Sequence, residues 1–187
     1  QKVLLAMSGG VDSSVTALLL KKQGYEVIGA FMKSWSNGPE DLSDCPWKVE
    51  REYAVKISKI LKIPLITFDF EKQYRKDVVD EMFKDYKKGI TPNPDIECNN
   101  KIKFPLLIKE AKKLNCNFIA TGHYARIKKT KDKYNLLRAK DELKDQSYFL
   151  YRIKQNELKN VLFPIGEYTK KEVRDIAKKN KFPNYDK

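Results

Sequence analysis

Short apolar runs alternate with stretches of helical period along the first two thirds of this chain, and few folds accept that pattern. Lys2–Met7, Tyr25–Met32, Pro64–Phe70 and Asn117–Thr121 read as β-strands, the first apolar enough to be covered on both faces. Between the first two, Asp12–Gln23 repeats Val15, Leu18 and Leu19 at helical spacing, and Gly24 is placed to stop it. A second helix is expected from Pro46 to about Lys62 on Val49, Tyr53, Ile57, Ile60 and Leu61, capped by Asp44. A third covers Glu71–Lys88 with Val78, Val79, Met82, Phe83 and Tyr86 inward, and a fourth runs about Ile102–Leu114. Strands separated by helices of this length predict a parallel sheet with right-handed crossovers, a three-layer α/β domain.

Ser34–Pro46 and Gly89–Asp95 carry the glycines and prolines of loops. After His123 the pattern changes: Tyr124–Ile127 and Tyr134–Arg138 flank a charged turn and read as a hairpin. Two short helices follow, the last with Thr169 and Glu172 at capping-box spacing. We expect one domain over residues 1–150 and the start of a smaller one over 151–187. The chain stops at Tyr185-Asp186-Lys187 without a terminating element and reads as an N-terminal fragment.

Apolar residues at 41% can fill a core, and no apolar run approaches the ~20 residues of a bilayer span. Three widely spaced cysteines, Cys45, Cys98 and Cys116, argue against a disulfide framework and for a reducing, cytoplasmic setting. They fit neither a zinc site nor a local iron–sulfur motif. The net charge is +13, and all of it lies in the second half. Residues 1–97 hold 15 basic and 15 acidic side chains, whereas residues 98–187 hold 23 and 10. That asymmetry fits a polyanion bound by the second half, and equally a lysine-rich solubilising surface.

The chemistry centres on Ser8-Gly9-Gly10-Val11-Asp12-Ser13-Ser14, between the first strand and the first helix. Glycines there let backbone amides approach an anion, and the helix N-terminus adds unpaired N–H groups and a positive dipole end. The serines add hydroxyl donors, and Asp12 is a candidate ligand for a divalent ion, Mg2+. The loop is neither Gly-x4-Gly-Lys-Ser/Thr nor Gly-x-Gly-x-x-Gly, and no lysine follows its glycines.

It resembles the Ser-Gly-Gly-x-Asp-Ser signature of the PP-loop ATP pyrophosphatases, whose Rossmann-like, adenine-nucleotide-alpha-hydrolase-type domain splits ATP between its α- and β-phosphates and adenylates a carbonyl oxygen. A loop holding a departing diphosphate needs dense amide donors and a metal, and needs no lysine at the γ-phosphate. A second segment narrows the resemblance. Thr91-Pro92-Asn93-Pro94-Asp95-Ile96-Glu97-Cys98-Asn99, followed by Lys101-Ile102-Lys103-Phe104, is similar to the cysteine segment of the tRNA-specific 2-thiouridylase (MnmA) family. Phe31-Met32-Lys33 with Trp35, Ala120–Arg126, Lys144–Leu150 and Leu162–Gly166 agree in the same order.

The resemblance implies ATP-dependent thiolation at C2 of the wobble uridine of tRNA. Ala6, Met7, Ser8, Gly9, Gly10, Val11, Asp12 and Ser13 would cradle ATP, bounded by Met32 and Gly122. Asn93, Pro94 and Asp95 would touch the target base, Cys98 would be the first catalytic cysteine, and Lys144, Asp145 and Gln146 would contact the tRNA. It also implies a persulfide sulfur donor protein, and a second, persulfide-bearing cysteine and a C-terminal β-barrel that this chain does not contain. On that reading the chain binds ATP but does not complete sulfur transfer.

Cys98 is also expected to be reactive on its own chemistry, because Lys101, Lys103 and helix-terminal amides lower a thiol pKa, with Asp95 in reach as an acid/base group. Cys116 and Cys45 read as structural. His123, the single histidine, is read equally as a hydrogen-bonding group beside the nucleotide or a bystander. Tyr148, Phe149 and Tyr151 read first as core. Two other functions remain open: a PP-loop enzyme with another carbonyl acceptor, and a basic tRNA-binding module without catalysis.

Overall fold

A computed structural model describes residues 1–36 and 46–187. The expected cap Asp44, Cys45 and most of the Ser34–Pro46 loop lie outside the described residues. Strands β1 (Lys2–Ala6), β2 (Glu26–Lys33), β3 (Leu65–Asp69), β4 (Phe118–Ala120) and β7 (Val161–Leu162) form one parallel sheet in the order β3-β2-β1-β4-β7. Strand order reverses around β1, so neighbouring crossovers leave the sheet on opposite faces and open a crevice at the carboxyl ends of β1 and β4. Strands β5 (Ala125–Lys129) and β6 (Tyr134–Arg138) make the expected hairpin, with Ala125 opposite Arg138.

Central β1 shows why three layers form. Its side chains alternate across the sheet: Val3 and Leu5 join one core with Val15 and Leu19 of α1 (Val11–Lys22) and Ala54 and Ile57 of α2 (Pro46–Leu61). Leu4 joins the other, with Phe104 and Leu107 of α6 (Phe104–Lys113) and Ile119 of β4. Both faces are covered, as a parallel sheet requires.

Several expectations are corrected. Val49 and Ile60 of α2 are about half exposed, as are Phe83 and Tyr86 beyond β3. The third helix is not uniform: α3 (Glu71–Tyr74) passes through a π-helical turn, Arg75–Val79, into α4 (Asp80–Lys87). Val78 alone of the five residues expected inward there is fully buried. The Asn-Pro-Asp segment is no loop beyond Asn93. Asn93 caps α5 (Pro94–Glu97) by accepting from Ile96 N–H at 3.3 Å, and Pro94 takes the first helical position. A second π-helical turn, Cys98–Lys103, carries α5 directly into α6. Tyr148 and Tyr151 are exposed, not core.

The last 37 residues are tied into the same body. Strand β7 extends the main sheet, and α8 (Lys170–Lys179), opened by a Thr169–Glu172 capping box, puts Val173 and Ala177 into the α1 core together with Phe182. Gln155–Leu158 is a single-turn helix, α7. Among the described residues no helix is long and apolar enough to cross a membrane.

Candidate functional site

The loop after β1 is held in one shape by contacts from four directions. Gly9 has φ +82°, and a Cβ there would sit 2.0 Å from the Glu50 carbonyl oxygen, so only glycine fits. Gly10 is the extended N-cap of α1, and its carbonyl accepts from Ser13 Oγ (3.0 Å), Ser14 Oγ (2.9 Å) and Ser14 N–H (3.2 Å). No side chain caps that helix, so its first amides face the crevice with the positive end of the helix dipole. Gly122 backs the loop from β4: a Cβ there would meet Ser13 N at 2.9 Å.

The remaining ties come from far along the chain. Fully buried Asn184 donates to Gly9 O (2.7 Å) and Ser14 Oγ (3.0 Å). Lys170 Nζ donates to both Asp12 carboxylate oxygens at 2.7 Å, and Tyr124 O–H donates to one of them at 2.8 Å. Burial first, then the neighbouring Asp12 charge, pushes the Tyr124 phenol far above its usual range, so it stays a donor. Lys170, Tyr124 and Asn184 are absent from the sequence-derived site. The Thr169 capping box marks where Lys170 starts a helix, but nothing in the sequence says which loop that helix meets.

Beside the loop is a cavity of about 260 Å3. Ala6, Met7, Ser8, Gly10, Asp12, Ser13, Met32 and Gly122 line it, while Gly9 and Val11 lie behind and shape it. Thr121, His123, Gln146 and Lys103 also line it. His123 Nδ1 lies 2.7 Å from Thr121 Oγ1, and its ring stacks on Phe104 and meets Phe163 edge-on. Burial, reinforced by Lys103, holds its pKa well below the usual imidazole range, so it is neutral at pH 7.

The described residues do not make a protein-only magnesium site. They contain no cluster of three metal-ligating side chains, and Asp12, the expected ligand, is occupied by Lys170. Magnesium usually keeps several waters and is held by one or two carboxylates together with substrate phosphates.

Cys98 opens the second π-helical turn, is half-buried against Phe70, Val78 and Ile102, and is not among the residues that line the cavity. The expectation of a lowered thiol pKa is corrected. Burial raises it, Lys103 partly offsets this, and Asp95 adds to the rise, so the resting side chain is a thiol. Asp95 and Asn93 are exposed at the start of the same helix. The three residues expected to contact tRNA part company. Lys144 is exposed, whereas Gln146 accepts from Tyr124 N–H at 2.9 Å and lines the cavity. Asp145 is turned inward, accepting from Ala139 N–H, Ser147 N–H and Ser147 Oγ, so its carboxylate organises the turn. Cys116 is half-buried, its thiol also raised by burial.

Comparison with known proteins adds to this geometry. The chain is 49% identical over its whole length to the tRNA-specific 2-thiouridylase MnmA 2 of Aliarcobacter butzleri, covering 51% of that protein. It is 50% identical over 182 residues to the tRNA-specific 2-thiouridylase MnmA of Christiangramia forsetii, covering 95% of this chain and 46% of that one. It thus spans about half the length of the curated relatives it matches. Among solved structures, an NMN synthetase from Francisella tularensis shares the fold, with TM-score 0.59, 16% identity, and coverage of 99% of this chain and 64% of that chain. A predicted subunit of tRNA methyltransferase from Methanocaldococcus jannaschii matches with TM-score 0.54 and 16% identity, over 95% of this chain and 74% of its own. The family model described as the tRNA methyl transferase HUP domain matches residues 1–187, so the chain belongs to that family, with the Rossmann-like PP-loop fold that its sequence predicted.

Proposed function

We propose that this chain is the nucleotide-activating half of a tRNA-uridine 2-sulfurtransferase. ATP enters the cavity at the carboxyl ends of β1 and β4, with its phosphates on the amides and hydroxyls of Ser8–Ser14 and its base towards Met32 and Gly122. The C2 oxygen of a tRNA wobble uridine attacks the α-phosphorus, and diphosphate leaves. The terminal sulfur of a cysteine persulfide attacks the adenylated carbon and AMP leaves. The Cys98 thiolate then attacks the S–S bond, releasing 2-thiouridine and leaving a disulfide between Cys98 and the donor cysteine. Asn93, Pro94 and Asp95 present the base beside Cys98, and Lys144 meets the tRNA backbone. Mg2+, where used, arrives with the triphosphate, and a persulfide carrier protein in the cytoplasm is the sulfur source.

The observation that supports this best is the uncapped α1 N-terminus opening onto a cavity that Lys103, on the helix that bears Cys98, also lines. Oriented amides at such a point stabilise developing phosphate charge without a lysine. The test uses the whole protein of which this chain forms part, with ATP, unmodified tRNA and a persulfide donor. Diphosphate and 2-thiouridine are expected in equal amounts, and Cys98→Ser should abolish the second. A second reading, a PP-loop enzyme with another carbonyl acceptor, draws on the position of Cys98 outside the cavity lining. It predicts tRNA-independent diphosphate release that Cys98→Ser leaves intact.

A further inference from the structure

We propose that Lys103 is a positioning residue that couples the nucleotide cavity to Cys98, serving as the counter-ion that lets this half-buried thiol ionise. The proposal rests on the reading of Cys98 as the reacting thiol, and its starting point is backbone geometry. In an α-helix, residues five apart point about 140° away from each other. Cys98–Lys103 is instead a π-helical turn, in which residue i+5 bonds back to residue i and the two stack on one face. The one irregular turn in this helix therefore brings Lys103 onto the face of Cys98 while its neighbours continue as α-helix on either side.

The surroundings of Lys103 leave it short of negative charge. It lines the cavity, and its ammonium lies 3.4 Å from Nε2 of a neutral His123. Among the described residues no carboxylate lies within ion-pair distance of it. The nearby acid of the helix, Glu97, is turned outward to Lys101 and Arg152. The groups that face Lys103 electrostatically are Cys98 and Asp95 of its own helix and His123 after β4. Cys98 faces Lys103, Asp95 and, from α3, Tyr74. Asp95 and burial oppose a thiolate, so Lys103 is the single described group favouring one. A partly buried ammonium without an anion is costly, and an adjacent thiolate relieves that cost.

The test measures the pH dependence of Cys98 alkylation by iodoacetamide, in a Cys45→Ser, Cys116→Ser background so that one thiol reports. Each alkylation forms an S–C bond, releases iodide and passes the thiol proton to buffer. With Lys103→Met, the midpoint should rise by about one pH unit, slowing alkylation about tenfold on the rising limb, with the high-pH plateau unchanged. Lys103→Arg should restore the wild-type midpoint. If Lys103→Met does not fold, Lys103→Gln takes its place. An unchanged midpoint, or a lowered plateau with no shift, overturns the proposal, because a packing role alters access and not ionisation. Since the assay needs neither ATP nor tRNA, it separates from the proposed function. A shifted midpoint beside failed thiolation by the whole protein would sink that function alone.

Discussion

The glycine–serine loop and the cysteine helix, the latter through Lys103, border one cavity and are built on opposite principles. The loop is over-determined. A glycine that no other residue can replace, a buried asparagine from near the chain's end, and a lysine and tyrosine on Asp12 all hold it before any ligand arrives. The cysteine helix is locally irregular, with an exposed Asn-Pro-Asp entry and a π-helical turn packed near a second one. One wall is preorganised for an anion and the other offers an exposed polar helix entry. Such a division suits a reaction in which charge develops in one fixed place while a nucleic acid docks beside it.

Perturbing the rigid wall should cost most. Gly9→Ala forces a Cβ onto the Glu50 carbonyl at a left-handed φ, so we expect a loss of about 2–5 kcal/mol in thermal unfolding, together with loss of nucleotide binding. A variant as stable as wild type would show the loop to be pliable. Asn184→Ala leaves Gly9 O and Ser14 Oγ without a buried donor and should cost about 1–3 kcal/mol, read by the same unfolding assay.

An intermediate effect is expected from pH at the junction of the two walls. His123 is neutral when folded and has a pKa near 6.5 when unfolded, so below that pH the unfolded chain gains a proton that the native one refuses. Stability is therefore intact above about pH 6.5 and falls by about 1.4 kcal/mol per unit as the pH drops below it. The lowered carboxylates Glu71, Glu97, Asp145 and Glu172 lose their contributions only at more acidic pH, near and below their usual range. Unfolding at pH 7.5 and 5.5 should thus differ in the wild type and converge in His123→Gln. The smallest effect belongs to the other wall: Cys98→Ser should change stability by less than about 1 kcal/mol while removing thiolation by the whole protein. A large loss would recast Cys98 as a packing residue.

What the sequence revealed follows the range of its interactions. The strand–helix alternation, the Thr169 cap and the hairpin are written in neighbours within four residues or in simple periods, and they appear where expected. The Asn93 cap, by contrast, was hidden in a segment read as loop. The π-helical turns were not legible, since Val78, Val79 and Met82 satisfy an α-helical stripe equally well, and neither was the exposure of Phe83 and Tyr86. The loop's glycines and serines were read from seven consecutive residues. Its clamps, Lys170 and Asn184, lie 158 and 175 residues from their partners, and only the packing of α8 on α1 brings them there. The sign of the Cys98 shift was misjudged because sequence shows the charges of Lys101 and Lys103 but not the burial that outweighs them.

The most direct measurement is a crystal structure of the chain with a non-hydrolysable ATP analogue. The account predicts phosphates on the amides of Gly10–Ser13, the adenine beside Met32 and Gly122, and the α-phosphate on the side of the cavity that Lys103 lines. Phosphates bound elsewhere, such as the basic groove of Arg126, Lys129 and Lys159, with the Ser8–Ser14 loop left bare, would contradict it.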